Sequence, residues 1–227
     1  MSTNENPSNS EIVDIRFHHP STFLISGVTS SGKTVLTRKI LSNSALLFKP
    51  EIPRFVVLVY RTWQEEYKRM FENGVINLCL DQIPDIDSLK EICSEHEKSG
   101  GIILVLDDQL NNINSNIVDF FLIYSHHLKM SIILLVQTLF MPCKAFRTIS
   151  LNTHYMFLMR NIRDRSSITQ LAKQIFPYRT RFLTDSYIDA TKEPFSHLLL
   201  DLRSESLEKT RVRANIFEEA ITVYSPL

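Results

Sequence analysis

Between Gly27 and Thr34 the chain reads GVTSSGKT, which sets two glycines, a lysine and a hydroxyl at the spacing G-x-x-x-x-G-K-[ST]. Residue types in this order can hold a chain of phosphates. Gly27 permits a sharp turn out of a strand, and Gly32 lets the backbone approach a β-phosphate with no Cβ in the way. The N–H groups of residues 30 to 34 would then point inward as an anion nest at a helix N-terminus, whose dipole also favours negative charge. The expected nucleotide contacts are therefore Gly27 and the run Thr29, Ser30, Ser31, Gly32, Lys33, Thr34 and Val35. Lys33 is expected to bridge the β- and γ-phosphates and the Thr34 hydroxyl to ligate magnesium, so the expected ligands are ATP and Mg2+. The whole chain has five glycines, and two of them stand in these eight residues.

Such a loop needs a partner that holds the metal, and GGIILVLDDQL supplies one. An apolar run, Ile102 to Leu106, ends in Asp107 and Asp108. An acid at such a strand tip binds magnesium through water in P-loop enzymes, which assigns Asp107 to the metal beside Thr34. Asp108 stands where the additional-strand group of P-loop ATPases places the acid that polarises the attacking water. Glu is more common there, and Asp is a methylene shorter. Gln137 closes SIILLVQ, and its amide could bond both a γ-phosphate and the lytic water. A buried amide without partners would cost a few kcal/mol, which argues against a packing role. Blander readings stand beside these: the two acids as a helix N-cap, and Gln137 as a partner for loop backbone.

Several apolar runs must position these residues. They are TFLIS (22 to 26), RFVVLVY (54 to 60), INLCL (76 to 80), IILVL (102 to 106), SIILLVQ (131 to 137) and HYMFLM (154 to 159). Continuous apolar strands separated by helical segments predict a mostly parallel sheet covered on both faces, hence an α/β fold. Ile117, Phe120, Phe121, Tyr124 and Leu128 recur at helical spacing, as do Ile168, Leu171, Ala172 and Ile175 before Pro177. A helix is expected near Leu183 to Ala190. Beyond it FSHLLLDL and TRVRANIF read as a C-terminal strand pair joined by RSESLEK.

With 227 residues there is room for one sizeable α/β domain, expected over 15–227 behind a disordered leader at 1–14. Twenty-five basic residues balance 25 acidic ones, so nucleic acid would have to be met by a local patch. Asp81 to Asp119 carries nine acids against two lysines, whereas Lys144 to Arg181 carries eight basic residues against Asp164 alone. Cys79, Cys93 and Cys143 are scattered and odd in number, which fits reduced thiols in an intracellular compartment. No apolar run reaches membrane-spanning length, and MSTNENPSNSE lacks the apolar core of a signal peptide. His18 and His19 read as a solvated pair rather than a metal site.

GVTSSGKT, ILVLDD and IILLVQT in this order, followed by ISLNTHYMFLMRNIRDRSSITQLAKQIFP, resemble the viral genome-packaging ATPases of the FtsK/HerA superfamily. The resemblance is nearest to those of Polinton (Maverick) transposons and their viral relatives, then to those of poxviruses and other large DNA viruses. It runs from about Phe23 into RVRANIF. It implies an additional-strand, RecA/FtsK-like P-loop NTPase working as a homo-oligomeric ring motor. Such a motor hydrolyses ATP and drives double-stranded DNA into a capsid, so DNA backbone and capsid proteins are the implied partners, with no membrane. The implied location is the host nucleus or cytoplasm, with virion association left open. In such rings a neighbour's arginine stabilises charge on the transferring phosphoryl group, and the candidates are Arg163, then Arg147, with Arg160 also considered. Readings that stay open are a helicase or DNA pump outside capsids, a small-molecule P-loop kinase with RNIRDR as its lid, and a nucleotide-gated DNA-binding assembly protein with little turnover.

Overall fold

The computed structural model describes residues 13–109 and 115–226; residues 1–12 of the expected leader lie outside it. β-branched and aromatic residues that can be covered on both faces form the central strands. These are β2 (Thr22–Ser26), β4 (Phe55–Val59), β6 (Ile102–Asp107), β7 (Met130–Val136) and β8 (Tyr155–Met159). Nearly all their residues are buried, as expected when helices cover both sides. The shorter strands are β1 (Phe17–His18), β3 (Phe48–Lys49), β5 (Leu78–Leu80), β9 (His197–Asp201), β10 (Val212–Ala214) and β11 (Thr222–Tyr224). Nine strands form one sheet in the order β5-β4-β6-β7-β2-β8-β9-β10-β11, and β1 pairs with β3 apart from it. From β5 to β8 the pairing is parallel; β9, β10 and β11 each join antiparallel.

Alternate residues along each strand feed two cores. On one face Phe23, Ile25, Leu58, Val105, Ile133 and Phe157 pack under α1 (Lys33–Ser42), α2 (Ser44–Leu47), α3 (Glu65–Glu72) and the β1–β3 pair. On the other Leu24, Leu104, Leu134 and Leu158 meet α4 (Ile86–His96), α5 (Ser115–Asp119), α6 (Ser125–His127), α7 (Lys144–Leu151), α8 (Arg165–Ile175) and α9 (Thr180–Ala190). The stripe from Ile117 to Leu128 is not one regular helix: a π-helical turn, Phe120–Tyr124, separates α5 from α6.

The expected fold class is what the chain adopts, a mostly parallel α/β sheet with β7 inserted between β2 and β6. The expected C-terminal strand pair is β9 and β10, and β11 adds a third strand to it. The histidine pair departs from its expected solvated state. His19 is buried with Nδ1 2.7 Å from Ser131 Oγ, while His18 is half-buried. For His19 this follows from Ser131 on β7 lying alongside, which also accepts the Ser21 N–H at 3.0 Å; His18 pairs with Lys49 and its N–H donates to the Tyr155 hydroxyl at 2.9 Å.

Candidate functional site

The register of three parallel strands brings the two motifs together. Ile25 on β2 lies level with Leu135 on β7, and Leu135 lies level with Asp107 on β6. All three strands thus end at the same edge. Gly27 leaves β2 there, Gln137 leaves β7, and Asp107 with Asp108 ends β6. A cleft of about 810 Å³ opens over this edge, and Thr29, Ser30, Gly32, Lys33, Thr34, Val35, Asp107, Asp108 and Gln137 all line it.

The loop is built as the glycines require. The Gly27 N–H donates to Val136 O at 3.0 Å, and a Cβ on Gly27 would stand 2.5 Å from both Met159 Cβ and Ser31 Oγ. Gly32 has φ +98°, the left-handed conformation that glycine adopts without strain, and from there α1 begins. No side chain caps α1, and its first turn carries no acid, so no side chain of its own answers the positive end of the helix. Lys33 Nζ donates to the carbonyls of Gly27 (2.7 Å) and Val28 (3.1 Å). Burial pulls the Lys33 pKa below the usual lysine range, against the raising effect of the Asp107 and Asp108 charges. Ser31 Oγ is buried with no hydrogen-bond partner among the described residues.

Asp107 is buried, and burial pushes its pKa up to about 6; the Lys33 charge opposes the rise and Asp108 adds to it. The Tyr67 hydroxyl, brought by α3, donates to Asp107 Oδ2. Asp108 turns off the strand with φ +54°, which Asp tolerates better than most residues, and its Oδ1 accepts from the Gln137 amide at 3.4 Å. Gln137 is exposed. An exposed amide bears no such desolvation cost, and what ties Gln137 to the site is its place in the cleft beside Asp108.

These residues fit a magnesium-bound triphosphate. An uncapped helix start, a half-buried ammonium, an orphaned hydroxyl and a close pair of carboxylates are each answered by phosphate oxygens or a divalent cation. Thr34 and Asp107 are the groups that would hold the metal.

The arginines stand elsewhere. Among the described residues lining the cleft, none is arginine. Arg163 is exposed in the loop after β8, its N–H donated to Asn161 Oδ1 at 3.1 Å; Arg147 is exposed on α7. Asn161 also accepts the Asp164 N–H, and Asp164 caps α8 through the Ser167 N–H, so NIRD is built as a helix start. The basic stretch does not form one patch. Met159 at the end of β8 pairs with His197 at the start of antiparallel β9, so Arg160, Arg163 and Arg165 lie near the phosphate-loop edge. Arg179 and Arg181, at the turn from α8 to α9, lie at the opposite end.

Four cleft residues gave no signal in the sequence: Gln64 and Glu66 at the start of α3, Lys39 on α1, and Phe195 in the loop before β9. Glu66 is held by Arg38 Nε at 2.6 Å. The positions of Gln64, Glu66 and Phe195 depend on crossovers, which no local spacing encodes, whereas Lys39 sits on the helix that begins at Lys33.

No protein-family model and no curated protein matches the chain. Solved structures do. The genome packaging NTPase B204 from Sulfolobus turreted icosahedral virus 2, determined in complex with ATP-gammaS, superimposes with a TM-score of 0.56 at 14% identity, over 92% of this chain and 98% of that one. The chain therefore shares the fold of that structure over nearly the whole length of both. The cytoplasmic domain of the Thermomonospora curvata Type VII secretion ATPase EccC matches at 0.47, with 12% identity over 92% of this chain and 24% of its own. That of EssC matches at 0.48, with 15% identity over 91% of this chain and 40% of its own.

Proposed function

We propose that the chain is an ATP-hydrolysing motor that translocates double-stranded DNA and packages a viral or transposon genome into a capsid. One observation carries the ATPase part: Lys33, Thr34, Asp107, Asp108 and Gln137 line one cleft at the edge where three parallel strands end. The B204 fold, over nearly its whole length, supports the packaging part.

In this reading the Gly27–Val35 loop binds the phosphates through main-chain N–H groups and Lys33. Magnesium, when bound at Thr34 and Asp107, supplies charge neutralisation on the phosphates. Asp108 serves as the base that takes the proton of the attacking water, and Gln137 orients that water. Arg163, or else Arg147, reaches the site of a neighbour in a homo-oligomeric ring; a cleft that no arginine lines among the described residues supports a donor from outside. DNA is met through its phosphates, as a motor indifferent to sequence requires, and capsid proteins receive the ring. The protein works inside the host cell, in nucleus or cytoplasm. No described helix is long and apolar enough to cross a membrane.

The test is ATP turnover of the purified chain with and without double-stranded DNA of several sequences. Turnover should rise with any of them. Lys33→Ala should lower it by about 100-fold or more, because the chief positive charge facing the phosphates is gone. Wild-type turnover in Lys33→Ala would refute the site, and transfer of phosphate to a nucleoside would replace the motor with a kinase. Filling of capsids with DNA by the wild type and not by Lys33→Ala would separate packaging from pumping elsewhere.

A further inference from the structure

The mechanism above gives no role to Lys39 on α1 or to Phe195, which line the same cleft as the phosphate loop and its exposed last residue, Val35. Phe195 combines three features that packing does not explain. Its side chain is 67% exposed. Its backbone has φ +63°, a conformation costly for an aromatic residue and held only when surrounding structure imposes it. Its side chain lies directly against the phosphate loop, where a Cβ added to Gly32 would stand 3.3 Å from Phe195 Cβ and Cδ1.

The loop that carries it is fixed at its C-terminal end. Ser196 O accepts the Arg160 N–H at 3.1 Å, and the next residue, His197, pairs with Met159 across β8 and β9. Pro194 restricts the backbone on the other side. The ring is thus held in place beside Gly32, on the β8–β9 side of the loop. The carboxylates lie on the other side, on β6, and Gln137 on β7. A triphosphate whose terminal phosphate faces Asp107 and Asp108 has its nucleoside end directed toward Phe195.

We propose that Phe195 is the platform on which the nucleobase stacks, with Val35 completing the apolar wall and Lys39 bounding its far end. Lys39 Nζ is itself held 5.6 Å from the centre of the Phe217 ring. A π-face accepts any base, so this contact supplies affinity for nucleoside triphosphates as a class. The assignment rests on the phosphate site proposed above.

The experiment is calorimetric binding of two probes to the full chain with magnesium: ATP, and inorganic tripolyphosphate, which lacks base and ribose. Phe195→Ala should weaken ATP about tenfold or more, within the range that loss of a stacked aromatic produces, and leave tripolyphosphate unchanged. Phe195→Tyr should keep wild-type affinity for both. Phe195→Gly guards against loss of fold, since glycine relieves the positive φ; it should melt no lower than wild type and still bind ATP about tenfold more weakly. Unchanged ATP affinity in Phe195→Ala, or equal weakening of both probes, would overturn the stacking role and leave the phosphate site standing. Failure of the wild type to bind either probe would overturn both.

Discussion

At the scale of single residues, the least expected contact is the Tyr67 hydroxyl on Asp107. Tyr67 is 2% exposed, so this donor and the carboxylate satisfy each other away from water. If Asp107 binds magnesium, Tyr67 positions it, and Tyr67→Phe should raise the Mg2+ concentration for half-maximal turnover by about 10–100-fold. Turnover at saturating Mg2+ should largely return, whereas a change confined to melting temperature, with the same Mg2+ dependence, would mark the tyrosine as packing alone. Asp108→Asn should instead lower turnover at every Mg2+ concentration with ATP binding kept, and equal rates in both proteins would remove Asp108 as the base. The residues with a motif around them were legible in the sequence, because Gly27 to Thr34 and the Asp107–Asp108 pair each sit where a strand ends and local spacing carries the chemistry. Tyr67 and Phe195 were not. One is the buried aromatic of an amphipathic helix and the other a lone aromatic in a loop, and only the crossover of α3 brings Tyr67 to Asp107 and the β8–β9 pairing brings Phe195 to the cleft.

At the scale of elements, the long central strands were readable from their unbroken apolar runs, because a strand covered on both faces has no polar side to blur it. β11 was not, since three residues with one exposed side chain show no period, and the π-helical turn hid inside a stripe that reads as regular helix. The antiparallel extension depends on a buried ionic group that apolar patterning also misses. Asp201 at the end of β9 accepts from Arg203 Nη2 (3.0 Å), Arg213 Nη2 (2.7 Å) and Ser206 Oγ (2.7 Å). Arg213, 2% exposed on β10, also donates to Ile15 O, which ties the chain's beginning to its last strands. Burial alone would raise the Asp201 pKa, but the hydrogen bonds from Arg203 and Ser206 and the arginine charges outweigh it and hold it below the usual range. Its contribution to stability is therefore present at neutral pH and lost as pH falls from the ordinary aspartate value, about 4, through the lowered one. Asp201→Asn leaves two buried guanidinium groups short of charge and should cost about 3–5 kcal/mol in denaturant unfolding at pH 7. The deficit should shrink in acid, and a pH-independent difference would show that the carboxylate charge is not what holds these strands.

At the scale of the whole molecule, the cleft has cations of its own in Lys33 and Lys39, and no arginine lines it among the described residues. Arg163 lies at the same edge of the sheet, exposed, in a loop whose backbone Asn161 fixes and whose end Asp164 ties to α8. A hydrogen-bonded loop whose arginine side chain has no partner among the described residues, at the edge where the cleft opens, suits a residue that completes a neighbouring site, because positioning without reorganisation is what makes such a charge effective. The consequence is a test by complementation. Arg163→Ala subunits keep an intact cleft and lack the donor; Lys33→Ala subunits keep the donor and lack a working cleft. Each alone should be inactive, with turnover reduced by about 1,000-fold for the arginine variant if it contributes as an arginine finger does. Mixed in equal amounts, they should regain part of the wild-type rate, since some boundaries then pair a sound cleft with a sound arginine. Mixed assemblies that form, as shown by co-purification of differently tagged subunits, yet stay inactive would exclude Arg163. The same mixture with Arg147→Ala, whose arginine lies on α7, then decides whether that helix supplies the donor.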